Sequence, residues 1–472
     1  MYKKRNTLIS TLLLIMMLIL ASCSNAQNEN NSSANNSNVN KTNIASINYN
    51  GKTYISLKDA FKATGGNVSI KGNNVTATKD TDVIKLSTNN TTAYLNSSKI
   101  SMSDLPKVKN KDVYVPMDFL TDILDAKITY SDGKVSLLEE VPLKYTKAFK
   151  IQYLKGGFKK ITDGNNKVII LAPKGKAVPN IYKNNTIINY PTSNILVSSS
   201  TEAALLRPLD EIKSIKAVNL KEAEWEINDI KSALKDNKIT YVGDTTSPDY
   251  EKISSLKPDL AILYGGNYGL NNMMKKFDEL KIPYVADNEY LEEDPLGRLE
   301  WIKFLAAFYD KEDIAEKYFN SEVSKVKAIE NKISSQKKTK VAFGMVDNGK
   351  VYVPAKDSYA AKMIALAGGD YIFKDLNTKS GYITLENFYA KAKDADVLIY
   401  SSSKEYTPSI KSVLNEAPVL KDTKPVKDKK VWCLGRDYYQ ATDKTSELIE
   451  DLASIFHPEN FKGYKQKHYS HY

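Results

Sequence analysis

The sequence predicts an α/β protein with two Rossmann-like lobes joined by one long helix, preceded by a small duplicated α+β module. Three observations carry this. Residues 141–472 alternate short apolar runs with helical stretches, the pattern of layered α/β structure with parallel sheets. One long amphipathic stretch, 311–335, separates two sets of those runs. Residues 43–140 match themselves when the chain is slid by sixty positions.

At the N-terminus, Lys3, Lys4 and Arg5 precede an apolar run from Leu8 to Leu20, too short to span a bilayer comfortably. Leu20-Ala21-Ser22-Cys23 follows and resembles the lipobox of bacterial lipoproteins. That resemblance implies a signal peptide over 1–22, cleavage before Cys23 and acylation of Cys23, with two acyl chains sufficing for a stable anchor. The alternative is a single-pass span. Residues 23–42, dominated by Asn and Ser, cannot bury a core and predict a disordered tether. This layout displays the protein, lipid-anchored, on the extracytoplasmic face of the cell membrane.

In the repeat, Tyr54-Ile55-Ser56-Leu57 falls on Tyr114-Val115-Pro116-Met117, and Val68-Ser69-Ile70 on Ile128-Thr129-Tyr130. Each copy reads as a strand, a short helix (Leu57–Thr64, Met117–Leu124) and a hairpin turned at Gly72-Asn73 or Asp132-Gly133. The pattern over 43–140 resembles the copper amine oxidase N-terminal-like module of Gram-positive surface proteins. No metal or catalytic residue comes with that resemblance; it implies a spacer or a domain that contacts the wall or a partner.

The remainder divides into an N-lobe (141–310), an interlobe helix (311–335) and a C-lobe (336–472). Strands are expected at Val168–Leu171, Asn194–Ser198, Thr240–Val242, Leu260–Leu263, Tyr284–Val285, Lys340–Phe343, Val397–Tyr400 and Lys430–Leu434. Along the helix, Ala315, Phe319, Val323, Val326, Ile329 and Ile333 keep helical spacing. At ~1.5 Å per residue it would span ~37 Å.

Several segments recur in a familiar order: Ser198-Ser199-Ser200-Thr201-Glu202 after the first lobe strand, Lys257-Pro258-Asp259 before a later one, then Ala367-Gly368-Gly369-Asp370 and 386–400 (ENFYAKAKDADVLIY). In these, residues 185–455 resemble the solute-binding proteins of ABC importers for iron chelates and cobalamin. The resemblance implies a monomeric receptor that captures a small-molecule metal chelate and delivers it to an ABC permease and its ATPase. It implies no enzyme activity, no catalytic residue and no cofactor of its own. Glu251 and Glu386 each open a predicted helix, where a carboxylate meets the positive end of the macrodipole and can be purely structural. In the resembled family the matching positions dock onto permease arginines, so permease docking is the role implied for both.

Ligands of open α/β sheets sit at the carboxyl ends of the strands. The loops there nominate Ser200, Thr201, Tyr264, Asn267 and Tyr268 in the first lobe, and Lys356, Tyr359, Tyr382, Tyr438 and Tyr439 in the second. Tyrosine (30, against 13 Phe) offers a flat apolar face with a hydrogen-bonding rim, suited to a rigid amphipathic ligand. Arginine is scarce, and Arg207, Arg298 and Arg436 all fall near these loops, where a planar fork suits carboxylate or phosphate. Pairing with nearby Glu or Asp is the structural alternative for each.

Composition excludes much else. The 67 Lys+Arg against 56 Asp+Glu are almost all lysines scattered among Asn, Asp and Glu, which reads as a solvated surface and not a nucleic-acid face. Two cysteines build no disulfide framework or four-cysteine zinc site. The three histidines lie in the last sixteen residues, His468 and His471 in a terminus (KHYSHY) expected to fray, so no protein-held metal is expected in the cleft. Glu292-Glu293-Asp294 reads as a solvated loop. Haem would need a tyrosinate ligand. Corrinoid binders of the family often carry Trp where this chain has Thr245 and Ser380–Tyr382. A ferric siderophore therefore fits best, with haem and cobalamin as alternatives. The rival class is a surface adhesion or wall-associated protein with no transport role.

Overall fold

The computed structural model describes residues 44–266, 268–376 and 381–472. Cys23, the tether, Asn267 and the side chain of Tyr268 lie outside the described residues. Among those described, no helix is long and apolar enough to cross a membrane. The chain forms two compact units.

The first in sequence spans 44–143 and 149–191. Both repeats fold alike, as Lys52–Ser56, Leu57–Ala63 and the hairpin Asn67–Lys71/Asn74–Lys79, then Asp112–Pro116, Met117–Ile123 and Lys127–Ser131/Lys134–Leu138. Their first strands pair antiparallel as Tyr54↔Pro116, Ile55↔Val115 and Ser56↔Tyr114. Because Tyr54 matches Tyr114 in the repeat, this register is self-complementary, a pseudo-twofold written by duplication. Phe61, Phe119, Leu120 and Ile55 fill one shared core. Residues 150–190 then add a sheet in the order Lys150–Tyr153, Lys159–Thr162, Val168–Pro173, Thr186–Tyr190. The N-lobe boundary expected at 141 is therefore corrected. The strand at Val168 forms as expected, but its partners lie within 150–190 and no strand of the lobe sheet pairs with it.

The second unit comprises 144–148 and 192–472. Its N-lobe sheet runs in the order Thr240–Tyr241, Ile215–Val218, Ile195–Val197, Leu260–Leu263, Tyr284–Ala286, all parallel. The C-lobe sheet runs Tyr382–Thr384, Lys350–Tyr352, Thr339–Asp347, Val397–Ser403, Val431–Leu434, Tyr469–His471, with Gly369–Tyr371 parallel to the start of the third. Between the lobes lies the helix Glu312–Ile333, as the apolar spacing predicts. Its 22 residues give ~33 Å. It buries Ala315, Phe319, Val323 and Val326.

Two expectations fail here. The tail does not fray: Tyr469–His471 completes the C-lobe sheet, antiparallel to Val431–Leu434. Alternating Tyr-Ser-His gave too weak an apolar pattern to announce a strand. The Glu292 loop is not merely solvated: Glu292 accepts hydrogen bonds from Thr146 Oγ1 and, at 2.9 Å, Trp301 Nε1, while Asp294 caps the helix Pro295–Glu300.

Candidate ligand-binding site

The parallel strands of the N-lobe deliver three carboxyl groups to their carboxyl ends. After Ile195–Val197 the chain turns into the helix Ser200–Leu206, whose capping box joins Ser199 to Glu202. Glu202 is 1% exposed and accepts from the Ser198 and Ser199 amides at 2.8 and 3.1 Å. After Tyr284–Ala286 come Asp287 and Glu289, both buried. Burial, and then the charge of Asp287, hold Glu202 well above the usual carboxylate range. Burial and Glu289 do the same for Asp287. Asp287 Oδ1 accepts from the Glu289 amide at 3.1 Å, while its buried Oδ2 has no hydrogen bond among the described residues. Tyr264 packs edge-on against Tyr290 at 5.3 Å, and Tyr290 donates to the Gly265 carbonyl at 2.6 Å.

Arg298, from the helix Pro295–Glu300, closes this floor. Its guanidinium is ion-paired with Glu289 and lies 4.9 Å from the ring centre of Tyr359, at the start of a C-lobe helix. Burial opposes its charge, yet Glu289 raises its pKa overall. Burial pushes the Tyr359 hydroxyl up to about 12. Tyr438 stands at 5.1 Å from Tyr439 and 5.5 Å from Tyr469, and both Tyr438 and Tyr439 feel the charge of Arg298. The loop bearing them is seated on the tail: Gly435 donates to the His468 carbonyl at 2.7 Å, and a Cβ at Gly435 would lie 2.6 Å from that oxygen. Tyr264, Arg298, Tyr359, Tyr438 and Tyr439 thus meet with Glu202, Asp287 and Glu289 in one interlobe cluster.

Other nominated residues do different work. Arg207 grips Asp443 with Nε at 2.9 Å and Nη2 at 2.6 Å and donates to the Gln440 carbonyl at 3.1 Å, a strut between the lobes. Arg436 stands 2.6 Å from Glu226 and donates to the Ala223 carbonyl at 2.8 Å, also across the lobes. Beside it the Gln440 side chain accepts from the Glu226 amide and donates to the Glu224 carbonyl, both at 2.7 Å. Thr201 lies against Ser199 at the helix start, and Ser200 is its first residue. Tyr382 reaches Asp347 at 3.2 Å and Tyr352 at 5.6 Å within the C-lobe sheet. Lys356 is exposed on its loop. Glu251 and Glu386 lie in the first turns of Tyr250–Leu256 and Leu385–Ala392, both exposed. Asp249 and Thr384, not the glutamates, cap those helices. Asp287, Glu289, Tyr290 and Tyr469 were not nominated. Three of them follow the strand Tyr284–Ala286 directly, so extending the strand-end rule to that strand would have found them.

Two α/β lobes, one connecting helix and a polar, aromatic cluster between them define a solute-binding protein. The chain belongs to the periplasmic binding protein family, which it matches over residues 202–438. Residues 33–138 match the copper amine oxidase N-terminal domain. An uncharacterized lipoprotein of Methanocaldococcus jannaschii is 40% identical over 324 residues, covering 66% of this chain and 77% of that one. The iron(3+)-hydroxamate-binding protein of Bacillus subtilis is 31% identical over 153 residues, covering 32% of this chain and 43% of that one. Among solved structures, a periplasmic heme-binding protein of Vibrio cholerae aligns with a TM-score of 0.47 at 20% identity, covering 57% of this chain and 100% of that one.

Proposed function

We propose that this is the lipid-anchored substrate-binding component of an ABC importer, which captures an iron chelate, a siderophore or haem, and hands it to the permease without chemistry. The observation that carries this reading is the interlobe cluster. Arg298 over Tyr359, with Tyr438 and Tyr439 within reach of its charge, pairs a buried cation with aromatic rings that offer flat apolar faces to a guest. Such walls suit a metal already wrapped in an organic ligand. The likeness to the hydroxamate-binding protein supports a ferric chelate, and the lipoprotein relatives support an anchor at Cys23 on the extracytoplasmic face. Glu251 and Glu386, exposed and released from capping duty, supply the permease contacts.

Titrating the mature chain carrying Cys23→Ser with ferric hydroxamates, haem and corrinoids, followed by tyrosine and tryptophan fluorescence, tests this. Saturable quenching by a ferric chelate or haem, lost in Arg298→Ala, is expected. A response to corrinoids alone moves the substrate to cobalamin, and silence across all three favours a surface adhesion role. Glu251→Ala with Glu386→Ala should stop uptake in cells at unchanged ligand affinity.

A further inference from the structure

Among the described residues, the net positive charge is confined to one unit. Residues 144–148 and 192–472 carry 43 basic and 43 acidic residues, a net charge of zero. Residues 44–143 and 149–191 carry 20 lysines against 12 acids. Within that unit the duplicated module is nearly balanced, whereas 149–191 alone holds eight lysines and one acid, Asp163, which is itself buried.

Some of these lysines are consumed internally. Lys155 pairs with Asp82 and Asp125 at 2.5 and 2.9 Å, Lys150 with Glu140 at 2.8 Å, and Lys176 with Asp122 at 3.1 Å. Lys160, Lys174 and Lys183 make no ion pair among the described residues; Lys160 is half-buried opposite Ile170, whose cluster Val178 and Tyr182 of the loop pack against. Lys174 and Lys183 are exposed and bracket a loop whose tip carries Ile181, 79% exposed. A neutral aliphatic side chain bared amid lysines is poorly suited to a soluble polyanion, which would leave it in water. It suits a surface that is anionic at its face and apolar just beneath.

We propose that the loop 174–185 with Lys160 is a membrane-contacting surface that binds anionic phospholipid headgroups and seats Ile181 at the boundary with the acyl chains. The contact rests on this unit's charge and on Ile181, not on the ligand reading of the lobes. Its effect would be to hold the sheet-rich unit against the bilayer, beyond what an anchor at Cys23 alone dictates.

The test removes the lipid. Mature chain carrying Cys23→Ser is sedimented with vesicles of equal parts phosphatidylcholine and phosphatidylglycerol, and with pure phosphatidylcholine. The expected result is binding to the anionic vesicles only, weakening with salt. Lys160→Glu with Lys174→Glu and Lys183→Glu should reduce it at least tenfold, and Ile181→Asp severalfold. The matched lobe variant Lys337→Glu with Lys338→Glu and Lys427→Glu should leave it unchanged. Equal binding to neutral vesicles, an equal loss in the lobe variant, or capture by polyphosphate beads without vesicle binding would each overturn the proposal. Far-ultraviolet dichroism on every variant separates lost contact from lost fold. Ligand titration in the lobes is unaffected by either outcome.

Discussion

The two units handle charge in opposite ways. In the lobes, key charges are spent inside: Glu300 is fully buried, Arg298 meets Glu289, and Arg207 meets Asp443. In the sheet-rich unit, Asp82, Asp125 and Asp122 hold lysines at its surface, and Lys174 and Lys183 face water. Interior charge fixes geometry, because each buried ion must find a partner in one place. Surface charge fixes little geometry and sets a field instead. The lobes thus carry the features of a shaped site, and the other unit those of an electrostatic face.

The largest effect that would break this comparison is at Glu300. Its carboxylate accepts amides from Lys144, Tyr145 and Thr146 at 3.0, 2.7 and 3.1 Å and pairs with Lys303 at 3.0 Å. Removing it leaves three amides without their acceptor and the buried Lys303 with Glu316 alone, at 2.6 Å, so Glu300→Ala should cost ~3 kcal/mol in denaturant unfolding of the lobes. A loss below ~1 kcal/mol, the scale of a surface pair, would mean that interior charge in the lobes is no more structural than exterior charge.

Next in size is the interlobe strut. Asp443 is buried, and burial lifts its carboxyl in spite of Arg207. Arg207→Ala and Asp443→Ala should be non-additive, with a coupling of ~1–3 kcal/mol in a double-mutant cycle. Additive losses would show that the lobes do not use this pair to meet.

How legible this was depends on the kind of interaction. The repeat was readable because duplication preserves spacing, and the pairing of Tyr54 with Pro116 follows from it. The interlobe helix was readable from apolar periodicity alone. The cluster was half readable: strand ends nominated Tyr264, Tyr359 and Tyr438, but whether an arginine reaches a guest or a neighbour is decided by residues far away, as Arg207 and Asp443 show at a separation of 236. That 149–191 is basic can be read along the chain, with eight lysines and one acid; that it joins the duplicated module and leaves the lobes balanced is shown only by the fold.

The smallest effect concerns the tail. His468 is 2% exposed, with Nδ1 at 2.8 Å from Asp437 and Nε2 at 3.3 Å from Glu447. Asp451 accepts from its amide at 2.6 Å, and Lys467 pairs with Glu447 at 3.1 Å. Burial works against a charged ring, but the hydrogen bond and charge of Asp437 prevail, raising the histidine above its ordinary value and lowering Asp437 below its own. A raised histidine contributes its full stabilisation below the ordinary pKa of about 6.5 and loses it as pH climbs through the folded value. His468→Gln should therefore cost ~1–2 kcal/mol at acidic pH and clearly less in alkaline buffer. A loss independent of pH would assign the residue to packing alone. Because Asp437 belongs to the loop that carries Arg436, Tyr438 and Tyr439, a pH-dependent loss would also mean that this ion pair both titrates and holds a wall of the site.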